Sequence, residues 1–353
     1  MINVTDSLFS LETNHTSYLF RVTEHGHLEH IHYGVHLPLG EISTLTTKRV
    51  IMHGSSVLYD TAKDSAYCLD NIPLEWSGVG CGDYRQTPIE VKLSNGTYRT
   101  DFVYESHEIL SGCVPMEALP AAYDDENLTQ TLRLTLVDHS AALELQLYYT
   151  VFPNVDVMTR RAVLINHGVC DVFIRRLMSM QLDMENEGFS LVTFDGAWIK
   201  ETHRHDRKLQ YGQFINSSTT GASSNRHNPG FLLYADGATE STGKVYGFNL
   251  VYSGNHFGLA ELSPFDLVRV QLGINPHCFE WGLASGERFE TPEAVMTFST
   301  HNTSLNVCIR HQYAKFITPD AIDNILFADV CLQNGSGGLN HTITSLTSKR
   351  IVD

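Results

Sequence analysis

Basic residues are scarce in this 353-residue chain. Twenty-four Lys and Arg stand against 40 Asp and Glu, and the formal net charge is −16. A surface this acidic repels phosphate backbones and anionic headgroups, and no basic cluster offsets it. Nucleic acid and membrane are therefore excluded as partners. Long apolar runs are missing too, since none approaches the roughly 18 residues of a spanning helix. The first twenty residues show neither a basic start nor an apolar stretch, so no secretory signal is expected. No Cys-x-x-Cys pair occurs. The seven cysteines (Cys68, Cys81, Cys113, Cys170, Cys278, Cys308 and Cys331) are odd in number and widely spaced. Such usage fits a reducing cytoplasm, with the thiols acting as small buried apolar groups. His-Glu-x-x-His, Gly-x-Ser-x-Gly and phosphate-loop motifs are absent.

What is present is a β pattern. Hydrophobic residues make up 42% of the chain, enough for a sizeable core. Leu132, Leu134 and Leu136 alternate in one run, and Leu143, Leu145, Leu147 and Tyr149 in the next. Met178, Met180, Leu182 and Met184 do the same further on. The runs around Val245–Leu250 and Leu267–Ile274 are rich in β-branched and aromatic residues. Turn signals separate the runs: Asn95-Gly96, Asp138-His139-Ser140, Asn166-His167-Gly168, Asp236-Gly237 and Ser285-Gly286. Their spacing predicts long antiparallel strands in stacked sheets. Strand–helix alternation is absent, which excludes a Rossmann fold or a (β/α)8 barrel. One helix is expected over Thr303–Ile317, where Leu305, Ile309, Tyr313 and Phe316 share a face and Pro319 stops the run. The division reads as a β domain over 1–302, a connecting helix over 303–317 and an irregular tail over 318–353.

Candidate chemistry is sparse. His25, His27, His30, His32 and His36 form one cluster, with His30 and His32 on one strand face. No third ligand stands at a recognisable spacing, so the cluster reads as a polar strand face near a sheet edge. His203-Arg204-His205-Asp206 reads as a solvated rim. Neither a metal nor a cofactor is expected. Asp124-Asp125-Glu126, and Glu261 with Asp266, read as loop and turn carboxylates rather than as an acid/base pair. Gly80-Cys81-Gly82 before Asp83 reads as a tight turn. Trp281 alternates with Phe279 and is expected in the core. Trp198, at the end of Gly196-Ala197-Trp198, opens a charged stretch. A Trp there suits stacking on the C–H face of a sugar, with rim packing as the alternative.

A series of local patterns carries a resemblance. Leu28-Glu29-His30-Ile31-His32-Tyr33-Gly34 comes first, then Leu74-Glu75-Trp76 through Gly82-Asp83-Tyr84-Arg85. Leu147–Phe152, Asp156–Arg161 and Gly196-Ala197-Trp198 follow. Gly221-Ala222-Ser223-Ser224 with His227-Asn228-Pro229, then Val251-Tyr252-Ser253-Gly254-Asn255 and Gly273-Ile274-Asn275-Pro276, continue it. In order and spacing, over about residues 9–317, the set resembles the N-terminal part of family 36 α-galactosidases.

That resemblance implies an all-β fold, a β-supersandwich preceding a catalytic (β/α)8 barrel. The barrel would carry an aspartate nucleophile in a Lys-Trp-Asp strand end, and an aspartate acid/base. Neither motif occurs in this chain, so no catalytic residue is assigned, and the chain reads as a truncated product or fragment. The implied partners are α-galactoside sugars of the melibiose or raffinose type, the missing barrel, or further copies in a homo-oligomer. The resemblance makes Trp198 a substrate-binding residue. It also implies an acidic sugar contact from an earlier loop; His53 stands at the aligned position, and Asp60 is the nearest acid. Two alternatives stand beside this reading: a mutarotase-like enzyme in which a His and a carboxylate exchange protons with a sugar, and a scaffold without sugar affinity.

Overall fold

The computed structural model describes residues 1–37, 45, 56–116, 118–124, 128–223, 226–239 and 241–300. The expected helix over 303–317 and the tail over 318–353 lie outside the described residues, as do His53, Cys308 and Cys331. Twenty strands follow one another among the described residues. The first five are β1 (Ile2–Thr5), β2 (Leu8–Glu12), β3 (Thr16–Val22), β4 (Leu28–Val35) and β5 (Ile89–Lys92). Next come β6 (Val103–Ser111), β7 (Gln130–Asp138), β8 (Leu143–Phe152), β9 (Val157–Asn166) and β10 (Val172–Glu185). Then β11 (Ser190–Ala197), β12 (Lys200–Lys208), β13 (Gly212–Ser217), β14 (His227–Tyr234) and β15 (Val245–Leu250). The last are β16 (His256–Leu262), β17 (Leu267–Ile274), β18 (Trp281–Leu283), β19 (Arg288–Glu290) and β20 (Ala294–Ser299). No helix of the described residues is long and apolar enough to cross a membrane.

The strands form three sheets: β1-β2-β3-β4; β13-β16-β17-β10-β18 with β5 on β10; and β12-β11-β14-β15-β20-β9-β8-β7-β6 with β19 on β9. This is the expected all-β supersandwich of stacked antiparallel sheets. The alternating leucines explain the stacking. Leu132, Leu134 and Leu136 of β7, and Leu143, Leu145 and Leu147 of β8, point into one core shared with Phe9, Phe20 and Tyr149. The β7–β8 turn is closed by the Asp138 side chain, which accepts the backbone N–H of Ser140 and of Ala141.

β10 departs from simple alternation. Met180, Leu182 and Met184 enter the main core. Gln181 and Asp183 alternate with them, yet they too are fully buried. The irregular stretch from Leu69 to Gln86 covers that second face. Arg269 of β17 grips Asp183 with Nε and Nη2, each at 2.7 Å, and Nη2 also reaches Asp83 at 2.7 Å. Arg85 donates to Asp183 and to Asp83 at 2.9 and 2.8 Å. The Leu74 N–H donates to Asp183 as well. A second buried group forms where the small sheet meets the others. Glu75 accepts from the Tyr18 and Tyr149 hydroxyls and from His30, and Arg160 lies 3.1 Å away. His30 is therefore an interior residue tied to a carboxylate, not part of the polar edge face expected from the sequence.

Two further expectations change. Trp281 is 50% exposed, because β18 is a three-residue strand at the sheet margin, and its ring packs on Phe289. Cys68 and Cys81 are buried as expected, but Cys170 and Cys278 are exposed in turns. Glu261 sits within β16 and accepts the Gln86 N–H, while Asp266 does occupy a turn, with φ 63°.

Removing one member of a buried ion network strands its partners in a dry interior. Asp183→Ala is expected to lower the unfolding free energy by about 3–5 kcal/mol, measured by urea denaturation. The same network sets an acid limit. Burial by itself would raise the Asp83 carboxyl, but Arg269 and Arg85 outweigh it and hold its pKa down at about 2. The unfolded chain thus takes up the proton first. Asp83's contribution is full above pH 4 and is lost as pH falls toward 2, an effect of about 2 kcal/mol. Stability of Asp83→Asn should fall less steeply across that window than that of the parent chain.

Candidate functional site

β11 and β12 form a hairpin at one end of the ten-stranded sheet. Ala197 pairs with Lys200, so Trp198 and Ile199 are the two turn residues. Trp198 is 86% exposed and Ile199 is also open to solvent. Ile199 has φ +66°, a left-handed conformation that a β-branched side chain resists. A tight hairpin here would ordinarily use glycine or asparagine. The strand leading to this tip is irregular on both sides: the register with β12 shifts between Asp195 and Ala197, and that with β14 between Thr193 and Asp195. Bulges of this kind re-aim side chains and concentrate beside functional sites.

The bulged segment carries a polar couple. Asp195 and His227 are paired across β11 and β14, and His227 Nδ1 lies 2.7 Å from Asp195 Oδ1. The Thr193 hydroxyl donates to Asp195 Oδ2 at 2.8 Å. These residues line a groove of about 470 Å³, together with Leu191, Phe214 and residues 204–207 of β12. Arg207 stacks its guanidinium 4.5 Å from the Phe214 ring centre. Behind His227, His256 is fully buried, and among the described residues its two ring nitrogens have no hydrogen-bond partner. Burial first, and the proximity of His227 second, hold its pKa down at about 4, so it is neutral.

Asp60 sits in different surroundings. Its Oδ1 accepts the N–H groups of Ala62 and Lys63, and the Lys63 ammonium reaches the Glu24 carbonyl. This docks the Asp60 turn against the β3–β4 connection. Beside it the Tyr59 and His27 rings meet edge to face at 4.6 Å, and the Tyr67 and His25 rings lie tilted against each other at 4.2 Å. Asp101 accepts from the Tyr59 hydroxyl and lies 3.2 Å from His27 Nε2. A cavity of about 390 Å³ opens nearby, lined by His25, Tyr67, Arg21, Glu29 and Asp64 among others. Trp198 and Asp60 thus belong to separate neighbourhoods of the described structure. No group of three or more His, Cys, Asp or Glu among the described residues is arranged to hold a metal ion.

Sequence reasoning missed Asp195, Thr193, Arg207 and Phe214 as partners in one groove. It met His227 only as part of a motif, and His205 only as a solvated rim. The signal was partly present: Leu191, Thr193 and Asp195 share a strand face by period two. The pairing of β11 with β14, which brings His227 to Asp195 across thirty-two residues, is a tertiary fact.

Comparison with known proteins places the chain. The sequence profile described as "Glycosyl hydrolase family 36 N-terminal domain" matches residues 26–284. Curated relatives include the bifunctional α-galactosidase/sucrose kinase AgaSK of Mediterraneibacter gnavus, 32% identical over 91% of this chain and 35% of its own length. α-Galactosidase AgaA of Geobacillus stearothermophilus is 34% identical over 82% of this chain and 40% of its own. Among solved structures, the Lactobacillus brevis α-galactosidase superposes with a TM-score of 0.84 at 30% identity, covering 88% of this chain and 42% of that one. An AgaA variant in complex with raffinose gives 0.84 at 32% identity, covering 88% and 43%. The chain therefore spans well under half the length of these relatives.

The strained turn makes its own prediction. Ile199→Gly removes the left-handed penalty of about 1–2 kcal/mol against a glycine entropy cost of about 0.5–1 kcal/mol. The variant should be more stable by roughly 0.5–1 kcal/mol, read as a higher urea midpoint at an unchanged denaturant slope.

Proposed function

Because the chain belongs to glycosyl hydrolase family 36, matched through that family's N-terminal domain, we propose that it forms the substrate rim and an assembly surface of an α-galactosidase. That enzyme would release terminal α-D-galactose from α-galactosides of the melibiose or raffinose type. The chain itself supplies binding rather than bond cleavage. Glycoside hydrolysis needs two carboxylates flanking the scissile bond with solvent or substrate between them. Lys-Trp-Asp does not occur in the sequence. Glu75 and Asp183 are sealed into ion networks, out of a sugar's reach.

Trp198 is the observation that carries this reading. An indole held 86% exposed at a strained tip, beside a polar groove, has the form of a sugar platform: an apolar face with hydrogen-bonding groups at its margin. In the same reading Asp60, apart from the Trp198 tip, is a second sugar contact, its carboxylate held in place by the N–H groups of Ala62 and Lys63. The chain works as part of a homo-oligomer in a reducing cytoplasm, which suits its free thiols.

Raffinose added to the full chain should quench tryptophan fluorescence saturably, because Trp198 is the most exposed of the three indoles. Trp198→Ala should abolish that signal and weaken binding about tenfold by calorimetry, the loss expected from roughly 1.4 kcal/mol of stacking and burial. Trp281→Phe should leave both unchanged. Equal raffinose affinity in Trp198→Ala and the parent chain would overturn the reading.

A further inference from the structure

The groove beside the Trp198 hairpin lies between two sheet margins. β12 ends the ten-stranded sheet and β13 ends the six-stranded one. Margins of stacked sheets ordinarily close over apolar side chains or are shielded by charge. Here they stay apart, and the gap is bridged by Arg207 of β12 stacked on Phe214 of β13. Its lining is balanced. One guanidinium, Arg207, and one carboxylate, Asp195, share the face of the β11–β12 hairpin that lines it, while Arg204 and Asp206 pair with each other on the opposite face, where Arg204 lies over the Tyr234 ring. A phosphate or carboxylate ligand would meet Asp195, and a cation would meet Arg207. An uncharged ligand meets neither penalty.

The hydrogen-bonding capacity is specific. Each Asp195 oxygen accepts one donor, His227 Nδ1 on one side and the Thr193 hydroxyl on the other. Each oxygen keeps further lone-pair capacity. With Nδ1 turned to the carboxylate, the His227 ring has Nε2 as its second hydrogen-bonding position. Leu191 and the Arg207–Phe214 stack supply flat, apolar surface. Two register shifts bracket Asp195, and the tip three residues on carries the strained Ile199. Deformation on both flanks of one carboxylate is costly for a purely structural strand and fits a side chain aimed for recognition.

We propose that this groove binds an uncharged polyhydroxylated ligand, a unit of the same saccharide that Trp198 covers, with Asp195 accepting a hydroxyl hydrogen and His227 Nε2 hydrogen-bonding a neighbouring hydroxyl. The identity of that saccharide rests on the function proposed above; the groove's preference for a neutral polyol rests on its own lining. Asp195 and His227 are then binding residues, and Thr193 positions the carboxylate.

Histidine ring carbon–proton resonances of the full chain read the groove directly. His227→Asn assigns the His227 signal by its loss. Titrating the parent chain with raffinose should move that signal saturably, whereas sodium phosphate at matched ionic strength should not. Asp195→Asn, nearly isosteric, should weaken raffinose at least about tenfold while far-ultraviolet circular dichroism stays unchanged. If that variant misfolds, Thr193→Val, which removes one bond to the carboxylate, should weaken raffinose about threefold in a folded chain. Trp198→Ala should leave the His227 movement in place at a higher raffinose concentration. An unmoved His227 signal alongside quenched Trp198 fluorescence overturns the groove and spares the tryptophan's role. A moving His227 signal with silent Trp198 does the reverse. Movement with phosphate alone overturns the neutral-ligand assignment, and silence in both probes overturns both.

Discussion

Asp183 is the point on which the rest of the sandwich depends. It lies on the second buried face of β10, where an apolar side chain would be the simpler choice. Its two oxygens collect four donors, from Arg269, Arg85 and the Leu74 N–H. Removing these charges from water costs several kcal/mol per ion, and their attraction repays this only with full hydrogen bonding. Arg269 meets that condition: its remaining nitrogen donates to the Ser77 hydroxyl and the Gln86 carbonyl. The return on the network is specificity more than net stability. The stretch from Leu69 to Gln86 has almost no ladder hydrogen bonds to fix its path. Directional bonds to Asp183 and Asp83 do that instead, and they seat Glu75 and Trp76 in the interior. Glu75 then anchors the small sheet through Tyr18 and His30. Burial would raise the Glu75 carboxyl, yet Arg160 and His30 keep its pKa lowered, so the anchor stays ionised.

This dependence explains what the sequence could and could not disclose. The strands β7, β8, β15 and β17 were legible because half-buried or apolar strands leave a local signal, whether period two or β-branched content. Turn residues such as Asp138 and Asn166 were legible because their side chains close turns within three residues. β10 was legible as a strand but not as a doubly buried one. Period two around Met180 and Leu182 assigns Gln181 and Asp183 to solvent, and only partners such as Arg269, eighty-six positions away, make them interior. His30 misled for the same reason, since its partner Glu75 lies forty-five residues on. Trp281 misled in the opposite direction: alternation with Phe279 was real, but a strand of three residues at a margin has no second layer above it.

The site was legible only where one residue announces itself. A tryptophan at a strand end between small and charged residues is anomalous in any sequence, and the structure keeps Trp198 outside. The groove has no such local mark. Asp195, Thr193 and His227 are ordinary polar residues until β11 pairs with β14, and the strain at Ile199 cannot be read from residue type at all. That strain bears on the choice between a binding tip and a scaffold. A hairpin selected for stability alone would place glycine or asparagine at the left-handed position and a polar residue before it. This tip has an isoleucine and a tryptophan, both in water, so it carries backbone strain and unburied apolar surface together. Neither serves the folded chain in isolation. The proposed saccharide would account for both, since covering Trp198 removes apolar area from water while a stiff, β-branched turn limits the indole's freedom to leave its place.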